Sequence, residues 1–361
     1  MFYHLLYPLQ SYFGAFNVFR YITFRTAMAT LTALLVSLLL GPKMIQRLRH
    51  FQIGQEIREE GPASHQSKRG TPTMGGILII TAVVLPTLLW ADLFNAFIWI
   101  AVASTLLFGA IGFIDDYRKI IRKSNLGLTV GAKFALQVAV AAGLGILLVW
   151  LSGEDIFNTR LSLPFIKSYT PDLGWIYVLF VILVLAGSAN AVNFTDGLDG
   201  LAIGSVLIAS ATFMVLTYAA GHAIVAEYLG IVNVKGSGEL TVFCGSMVGA
   251  SLGFLWFNCH PAEIFMGDVG SMAMGGALGI TAVLVKQELL LVLVGGLFVL
   301  EALSVILQVG SFRLRGKRIF RMAPIHHHFE LAGWSEGKIV IRFWILALIF
   351  SLLALATLKL R

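Results

Sequence analysis

The chain has 361 residues, 58% of them hydrophobic and 12% charged, with a net charge of +7. A mean hydropathy of +0.85, with about half the charge of a soluble domain, excludes a disordered chain and an ordinary cytosolic globule. A pI near 9.5 on so apolar a chain points to loops facing an anionic membrane leaflet rather than to a nucleic-acid partner.

A membrane-spanning helix needs about 20 mostly apolar residues. Stretches free of Asp, Glu, Lys and Arg run over 26–42, 70–91, 93–114, 134–153, 173–195, 200–226, 240–262, 269–285, 289–312 and 343–358, the ninth broken only by Glu301. They predict an all-α integral membrane protein, a bundle of about ten transmembrane helices forming one multi-pass domain over 1–361. The N-terminus lacks a basic region followed by a short apolar stretch and a cleavage site, so the first run is expected to stay as a helix. Cys244 and Cys259 lie in or beside one span, too far apart along it for a disulfide, and read as free thiols.

In chain order, the first polar motif is Ser67-Lys68-Arg69-Gly70-Thr71-Pro72-Thr73-Met74-Gly75-Gly76, which leads directly into a span. It lacks the Walker spacing. Lys68 and Thr73 suit an anionic substrate, and Arg69 suits simple anchoring. Next, Asp115 and Asp116 close the third span. Acids at a helix C-terminus oppose the macrodipole at roughly 0.3–1 kcal/mol each, which suggests a cation or proton to hold. Neighbours on a helix do not share a face, so the two are expected to have unlike roles. The stretch 154–172, with Pro164 and Pro171, suits a small hairpin.

The fifth span ends in Asn190-Ala191-Val192-Asn193-Phe194-Thr195-Asp196-Gly197-Leu198-Asp199-Gly200. One of Asp196 and Asp199 is expected to cap the following helix. Capping does not account for Asn190, Asn193, Asp196 and Asp199 together, and the glycines permit close approach to a ligand. The stretch 221–239 suits a short interfacial helix. Asn258, His260, Phe265 and Asp268 fall in the next cluster, where Asp268, flanked by Gly267 and Gly270, opens a span. An N-cap explains one such acid. A carboxylate, glycines and free amides at a helix start also suit a Mg²⁺–phosphate site. Glu301 is an intramembrane acid, functional by default but with no role in the chemistry evident from sequence. Last come His326, His327 and His328. Three adjacent histidines do not easily aim at one ion and no further ligand is spaced nearby, so phosphate contact or loop ordering is the better reading.

Ten spans put both chain ends on one side. On the other side, the loops 43–69, 115–133 and 313–342 carry six, five and seven basic residues, 18 of the 26 in the chain. The positive-inside rule makes that side cytoplasmic and both termini periplasmic. Asp115, Asp116, Asp196, Asp199, Asp268, Lys68, Asn258, His260 and the three histidines all fall on the cytoplasmic side. A single active site built from five cytoplasmic loops is therefore possible. Acids for Mg²⁺, basic groups and glycines for phosphates, and a membrane beneath them are the equipment of phosphoryl transfer with a lipid substrate.

The stretches SKRGTPTMGG (67–76), GFIDDYRK (112–119), NAVNFTDGLDGLA (190–202), FLWFN…PAEIFMGDVGS (254–271) and RMAPIHHHFE (321–330) closely resemble the phospho-N-acetylmuramoyl-pentapeptide-transferase family, over essentially the whole chain. The aspartate motifs are shared with the wider superfamily of polyprenyl-phosphate N-acetylhexosamine-1-phosphate transferases. SKRGTPTMGG and PIHHHFE are the more discriminating signals. Phe194 stands where that family has Leu, a conservative difference.

The resemblance implies transfer of phospho-N-acetylmuramoyl-pentapeptide from UDP-N-acetylmuramoyl-pentapeptide to undecaprenyl phosphate, giving lipid I and UMP. That is the first membrane step of peptidoglycan synthesis, hence of cell-wall biogenesis, cell shape and division. It implies Mg²⁺, a homodimer and a bacterial inner-membrane location with the site facing the cytoplasm. It further implies Asp268 as the main Mg²⁺ ligand with Asp116 near the metal, and Asp115 as the group that deprotonates or positions the lipid phosphate. Asn190, Asn193, Asp196, Asp199, Asn258 and Phe265 are implied in substrate binding, Phe265 by stacking on uracil. Lys68 and Thr73 are implied as phosphate contacts, and His326, His327 and His328 as a loop near the pyrophosphate. A sister transferase using UDP-N-acetylglucosamine and a membrane transporter are the alternatives. A transporter wants polar groups on both faces and an internal repeat, and neither is evident. A prenyl synthase wants two DDxxD-type motifs, and Asp115-Asp116-Tyr117-Arg118-Lys119 ends in Lys.

Overall fold

A computed structural model of the chain describes residues 1–50, 70–122, 127–154, 156–163 and 170–358. It contains α1 (Phe2–Leu6), α2 (Ile22–His50), α3 (Gly76–Trp90), α4 (Ala96–Arg122), α5 (Val130–Gly153), α6 (Ile176–Thr195) and α7 (Leu201–Gly221). These are followed by α8 (Ala223–Leu229), α9 (Leu240–Asn258), α10 (Gly267–Leu284), α11 (Leu291–Val294), α12 (Gly296–Arg315), α13 (Ile325–Leu331) and α14 (Glu336–Thr357). Among the described residues there is no strand; an isolated antiparallel bridge joins Arg160 and Asp172 where a hairpin is expected. The helix α8 occupies the expected interfacial stretch.

Nine of these helices are long and apolar enough to cross a membrane. The tenth expected span is α3, with 15 residues. At 1.5 Å per residue it measures about 22 Å, short of a ~30 Å hydrocarbon core. It starts late because the backbone of Pro72, Gly75 and Gly76 is paired with residues 265–266 and Met74 turns at φ +67°. Phe265 N–H donates to Pro72 O at 2.8 Å, Gly75 N–H to Phe265 O at 2.8 Å and Gly76 N–H to Met266 O at 2.9 Å.

Helices α9 and α10 form the centre. Of the apolar window of α10, 89% lies inside the bundle, against 22% for α12, whose Leu303, Ile306, Leu307 and Phe312 face outward as lipid contacts. Apolar side chains gain little by leaving lipid for each other, so helix contacts in a membrane rest on close packing of small residues. Gly245, Gly249 and Gly253, four residues apart on α9, lie against Thr26, Thr30 and Ser37 of α2. Gly275 and Gly279 of α10 lie against Ala189 and Ser188 of α6.

The contacts sort the helix ends into two sets. The C-terminal part of α4 and the ends of α6 and α9 meet the starts of α3, α7, α10 and α14 at one end of the bundle, through the bonds described below. At the other end the Met1 ammonium donates to Leu88 O at 2.8 Å. Since α14 starts at the first end, it runs toward the second, where Met1 lies.

That second end holds a buried ion pair. Arg25 donates from Nη1 and Nη2 to the two Glu239 oxygens at 2.7 and 2.6 Å, and Glu239 Oε2 also accepts from Asp92 N–H at 2.9 Å. The Arg25 guanidinium lies 4.6 Å from the centre of the Tyr3 ring. Removing one partner leaves a buried charge uncompensated, at about 3–5 kcal/mol. Glu239→Ala is therefore expected to lower the thermal midpoint strongly in detergent, and Arg25→Met/Glu239→Ala less than either single change. A loss in the double variant equal to the sum of the two single losses would show that the pair is not coupled.

Candidate active site

At the first end, three carboxylates from two helices converge on one ammonium. Lys119 Nζ lies 2.7 Å from Asp115 Oδ2, 3.2 Å from Asp116 Oδ1 and 2.7 Å from Asp268 Oδ2. Lys119 follows the aspartate pair by four and three residues, so the helix itself places its side chain over both. Lys133, from the first turn of α5, adds a second ammonium 2.9 Å from Asp268 Oδ2. Asp115 and Asp116 are buried, at 3% and 4% exposure, so three clustered carboxylates hold together only through these cations and a ring of donors.

The donors differ for each acid. Asp115 Oδ1 accepts from Leu128 N–H, in the loop before α5, at 2.7 Å. Asp116 Oδ2 accepts from Val269 N–H, in the first turn of α10, at 3.2 Å. Asp268 Oδ1 accepts from Asn193 Nδ2 at 2.6 Å, and Asn193 also donates to Ser271 Oγ at 2.8 Å. The adjacent aspartates thus face different neighbours, as their angular separation on a helix requires.

Two expectations need correction. The helix does not end at the aspartate pair but runs to Arg122. The macrodipole acts mainly in the last turn, so it places little cost on these acids. Nor do Asp196 and Asp199 cap α7, whose N-cap is Gly200 in the left-handed conformation at φ +79° with no side-chain cap bond. Asp268 likewise makes no cap bond but lies in the first turn of α10, where a carboxylate is favourable.

Asp199 reaches sideways instead. Its Oδ2 lies 3.1 Å from His260 Nδ1 and accepts from Ala262 N–H at 3.1 Å. Its own N–H donates to Glu336 Oε1 at 2.8 Å, and His260 Nδ1 lies 3.4 Å from Glu336 Oε2. The start of α14 is thereby tied to the 196–199 turn. Asn258 accepts from Gly200 N–H at 3.1 Å and donates to Ile264 O at 2.8 Å, joining the same turn to the 259–266 loop. Thr73 and Asp116 flank Gly267, which has φ +69°. A Cβ there would lie 2.6 Å from Asp116 Oδ2 and 2.9 Å from Thr73 Oγ1, so only glycine lets the three meet.

The histidines diverge. His326 is buried with Nδ1 3.1 Å from Glu301 Oε1, His327 Nδ1 lies 2.6 Å from Glu330 Oε2, and His328 Nδ1 accepts from Arg321 N–H at 3.2 Å. Asn190 is not drawn to the carboxylates. It exchanges hydrogen bonds with Gln137 of α5 at 2.7 and 3.2 Å and joins α6 to α5. Phe265 is half-buried and enters these contacts by its backbone. Lys68 lies outside the described residues. Lys119, Lys133 and Glu336 were not expected at the site, and His260, grouped with it by sequence, meets Asp199 and Glu336.

Asp196 stands in the field of this cluster. Desolvation in the packed turn, then the charges of Asp268, Asp116 and Asp199, push its pKa up to about 8, opposed by a hydrogen bond from Gly267 N–H. An acid with a raised folded pKa lends stability below its unfolded value of 3.8, and that contribution is lost as pH rises through the folded value. In EDTA, the protein is expected to lose stability progressively as pH rises from 3.8 toward about 8, with no further loss from this group above that. Asp196→Asn should flatten that slope in thermal unfolding curves, and an unchanged slope would remove Asp196 as its source.

Comparison with known proteins finds two family models in the chain. Glycosyl transferase family 4 matches residues 98–286, and phospho-N-acetylmuramoyl-pentapeptide-transferase signature 1 matches residues 68–80. Among similar proteins, one from Koribacter versatilis is 59% identical over 379 residues, covering all of both chains. Another, from Citrifermentans bemidjiense, is 57% identical over 361 residues with the same full coverage. Both are named phospho-N-acetylmuramoyl-pentapeptide-transferase.

Proposed function

Because the chain belongs to the phospho-N-acetylmuramoyl-pentapeptide-transferase family, we infer that it transfers phospho-N-acetylmuramoyl-pentapeptide from its UDP carrier to undecaprenyl phosphate. The products are lipid I and UMP. The chain is an enzyme of peptidoglycan synthesis and a multi-pass membrane protein. The observation that carries the reading is the meeting of Asp115, Asp116 and Asp268 with Lys119 and Lys133 at one end of the bundle.

Mg²⁺ is the proposed cofactor, and the donor set suits it. The three aspartates each offer an oxygen within 4.8 Å of the others, and such hard oxygen ligands suit Mg²⁺. Two ammonium groups already occupy their field, so this is a place where positive charge is held. Asp268 and Asp116 would be its ligands. When bound, the ion neutralises charge developing on the transferring phosphoryl oxygens.

The chain's own groups do the rest. Asp115, steadied by Leu128 N–H and Lys119, positions the lipid phosphate and takes its proton. A lipid phosphate oxygen then attacks the β-phosphorus of the donor, the bond from that phosphorus to the bridging oxygen breaks, and UMP leaves. Lys119 and Lys133 turn to the phosphates as these arrive. Asn193, Asp196, Asp199, Asn258 and Phe265 line the nucleotide end, with Lys68, Thr73 and the three histidines near the phosphates. The basic loops favour a cytoplasmic-facing site in the bacterial inner membrane, and the resemblance favours a homodimer.

The test is UMP release from detergent-purified protein given Mg²⁺, undecaprenyl phosphate and UDP-N-acetylmuramoyl-pentapeptide. Release is expected only with that donor and not in EDTA. Turnover with UDP-N-acetylglucosamine instead would move the chain to the sister branch. Folded protein inactive with both donors would overturn the transferase reading. With labelled donor and no lipid, no labelled protein is expected, and a trapped phospho-aspartate would establish a two-step route.

A further inference from the structure

Glu301 stands apart from the reaction as described. It sits on α12 with no exposed surface, and the group it faces is His326 Nδ1, 3.1 Å from Oε1. His326 is equally buried, and the contact has an ion-pair distance without hydrogen-bond alignment. Both Glu301 oxygens and both His326 nitrogens therefore lack an aligned partner among the described residues. An apolar pair at such a place is often at least as stable as an ionic one, so packing alone does not account for a carboxylate here.

The far edge of the imidazole supplies the reason. A Cβ on Gly197 would lie 2.2 Å from His326 Nε2 and 2.9 Å from Cε1, so the ring rests against the Gly197 backbone. Gly197 lies between Asp196 and Asp199. Leu198 of the same turn packs in one apolar cluster with Leu297 of α12 and with Ile339 and Phe343 of α14, flanked by Ile325 of α13. His326 is thus a strut from Glu301 to the turn that carries both acids.

We propose that Glu301 is a positioning residue for the nucleotide end of the site: its carboxylate, 3.1 Å from His326 Nδ1, keeps the proton on that nitrogen by its charge, and so sets the tautomer and presents Nε2, unprotonated, to the Asp196–Asp199 turn. A neutral imidazole with Nδ1–H has its acceptor at Nε2, so the carboxylate on one side decides what the turn meets on the other. The inference rests on the transferase reading, in which that turn binds the UDP donor.

The test uses the full chain in detergent with Mg²⁺, reading UMP binding by calorimetry, the KM for donor and for lipid separately, and the thermal midpoint. Glu301→Gln is expected to raise the UMP Kd and the donor KM about tenfold, the size of one lost polar contact. The lipid KM should stay within about twofold and the thermal midpoint within a few degrees. Glu301→Asp should recover part of the donor affinity. Because Glu301 acts through His326, Glu301→Gln/His326→Ala should bind UMP no worse than His326→Ala alone. Effects that multiply in the double variant, or a Glu301→Gln protein with wild-type donor KM, would overturn the proposal. If Glu301→Gln does not fold, Gly197→Ala poses the same question from the other side of the ring, and a wild-type donor KM there would overturn it too. Wild-type protein that binds no UMP would instead strike the transferase reading itself.

Discussion

Asp268→Ala is expected to lower turnover by on the order of 10³-fold, with the bundle intact, since single groups that stabilise transition-state charge are each worth about 10²–10³. Four groups depend on this one carboxylate. Oδ2 takes Lys119 and Lys133, and Oδ1 takes Asn193, which in turn holds Ser271. Removing it leaves two acids facing two ammonium groups, a balanced set with little net attraction for a divalent cation. Among the described residues, Lys133 thereby loses its one carboxylate within ion-pair distance. Asp268→Asn should be scarcely milder. An amide lacks the charge that holds the lysines, and one carbonyl oxygen does not replace two carboxylate oxygens that face opposite ways. The loss should appear in kcat and in kcat/KM together, because the charge acts on the transferring group. Wild-type turnover in either variant would remove Asp268 from the site, and a fall of the thermal midpoint by more than about 8 °C would show that it also holds the fold.

Part of this arrangement is legible in the sequence. The apolar windows mark the helices because hydrocarbon leaves the backbone few alternatives to a helix. The alternation of basic loops sorts the acids to one end. Asp115, Asp116, Asn193 and Asp268 stand out as polar groups at the edges of apolar runs. Lys119 was equally readable, three and four residues after the pair, but a basic residue at the end of an apolar span is already explained by the charge rule. Lys133 was not readable, since its partner Asp268 is 135 residues away and nothing local distinguishes it from an anchoring lysine. The same holds for Gln137 with Asn190. Asn190 drew attention by sharing a helix with Asn193, yet its amide is taken up by the neighbouring helix. Glu301 was conspicuous and uninterpretable until its histidine partner, on a separate short helix, was placed against it.

The second large effect comes from a residue that carries no chemistry. Gly112→Ala is expected to lower both stability and turnover. A Cβ at Gly112 would lie 2.1 Å from Asp268 O and 2.7 Å from Val269 N. Both are backbone atoms at the first turn of α10, so no flexible side chain is available to yield, and the helices must separate there. Overpacking of this kind typically costs about 1–3 kcal/mol. The consequence for chemistry should be larger, because the displaced turn carries Asp268 and the Val269 N–H that binds Asp116. Displacing reacting groups by about 1 Å can cost on the order of 10² in rate, and that loss is expected beside a thermal midpoint lowered by several degrees. Gly143, on the neighbouring helix α5 with open space around its Cβ position, is the control. Gly143→Ala should leave turnover unchanged and stability equal or slightly higher, because alanine is the better helix former. Equal behaviour of the two variants would mean that the close approach of α4 and α10 does not set the spacing of the carboxylates. Divergent behaviour would trace the geometry of the three aspartates to the absence of one methyl group.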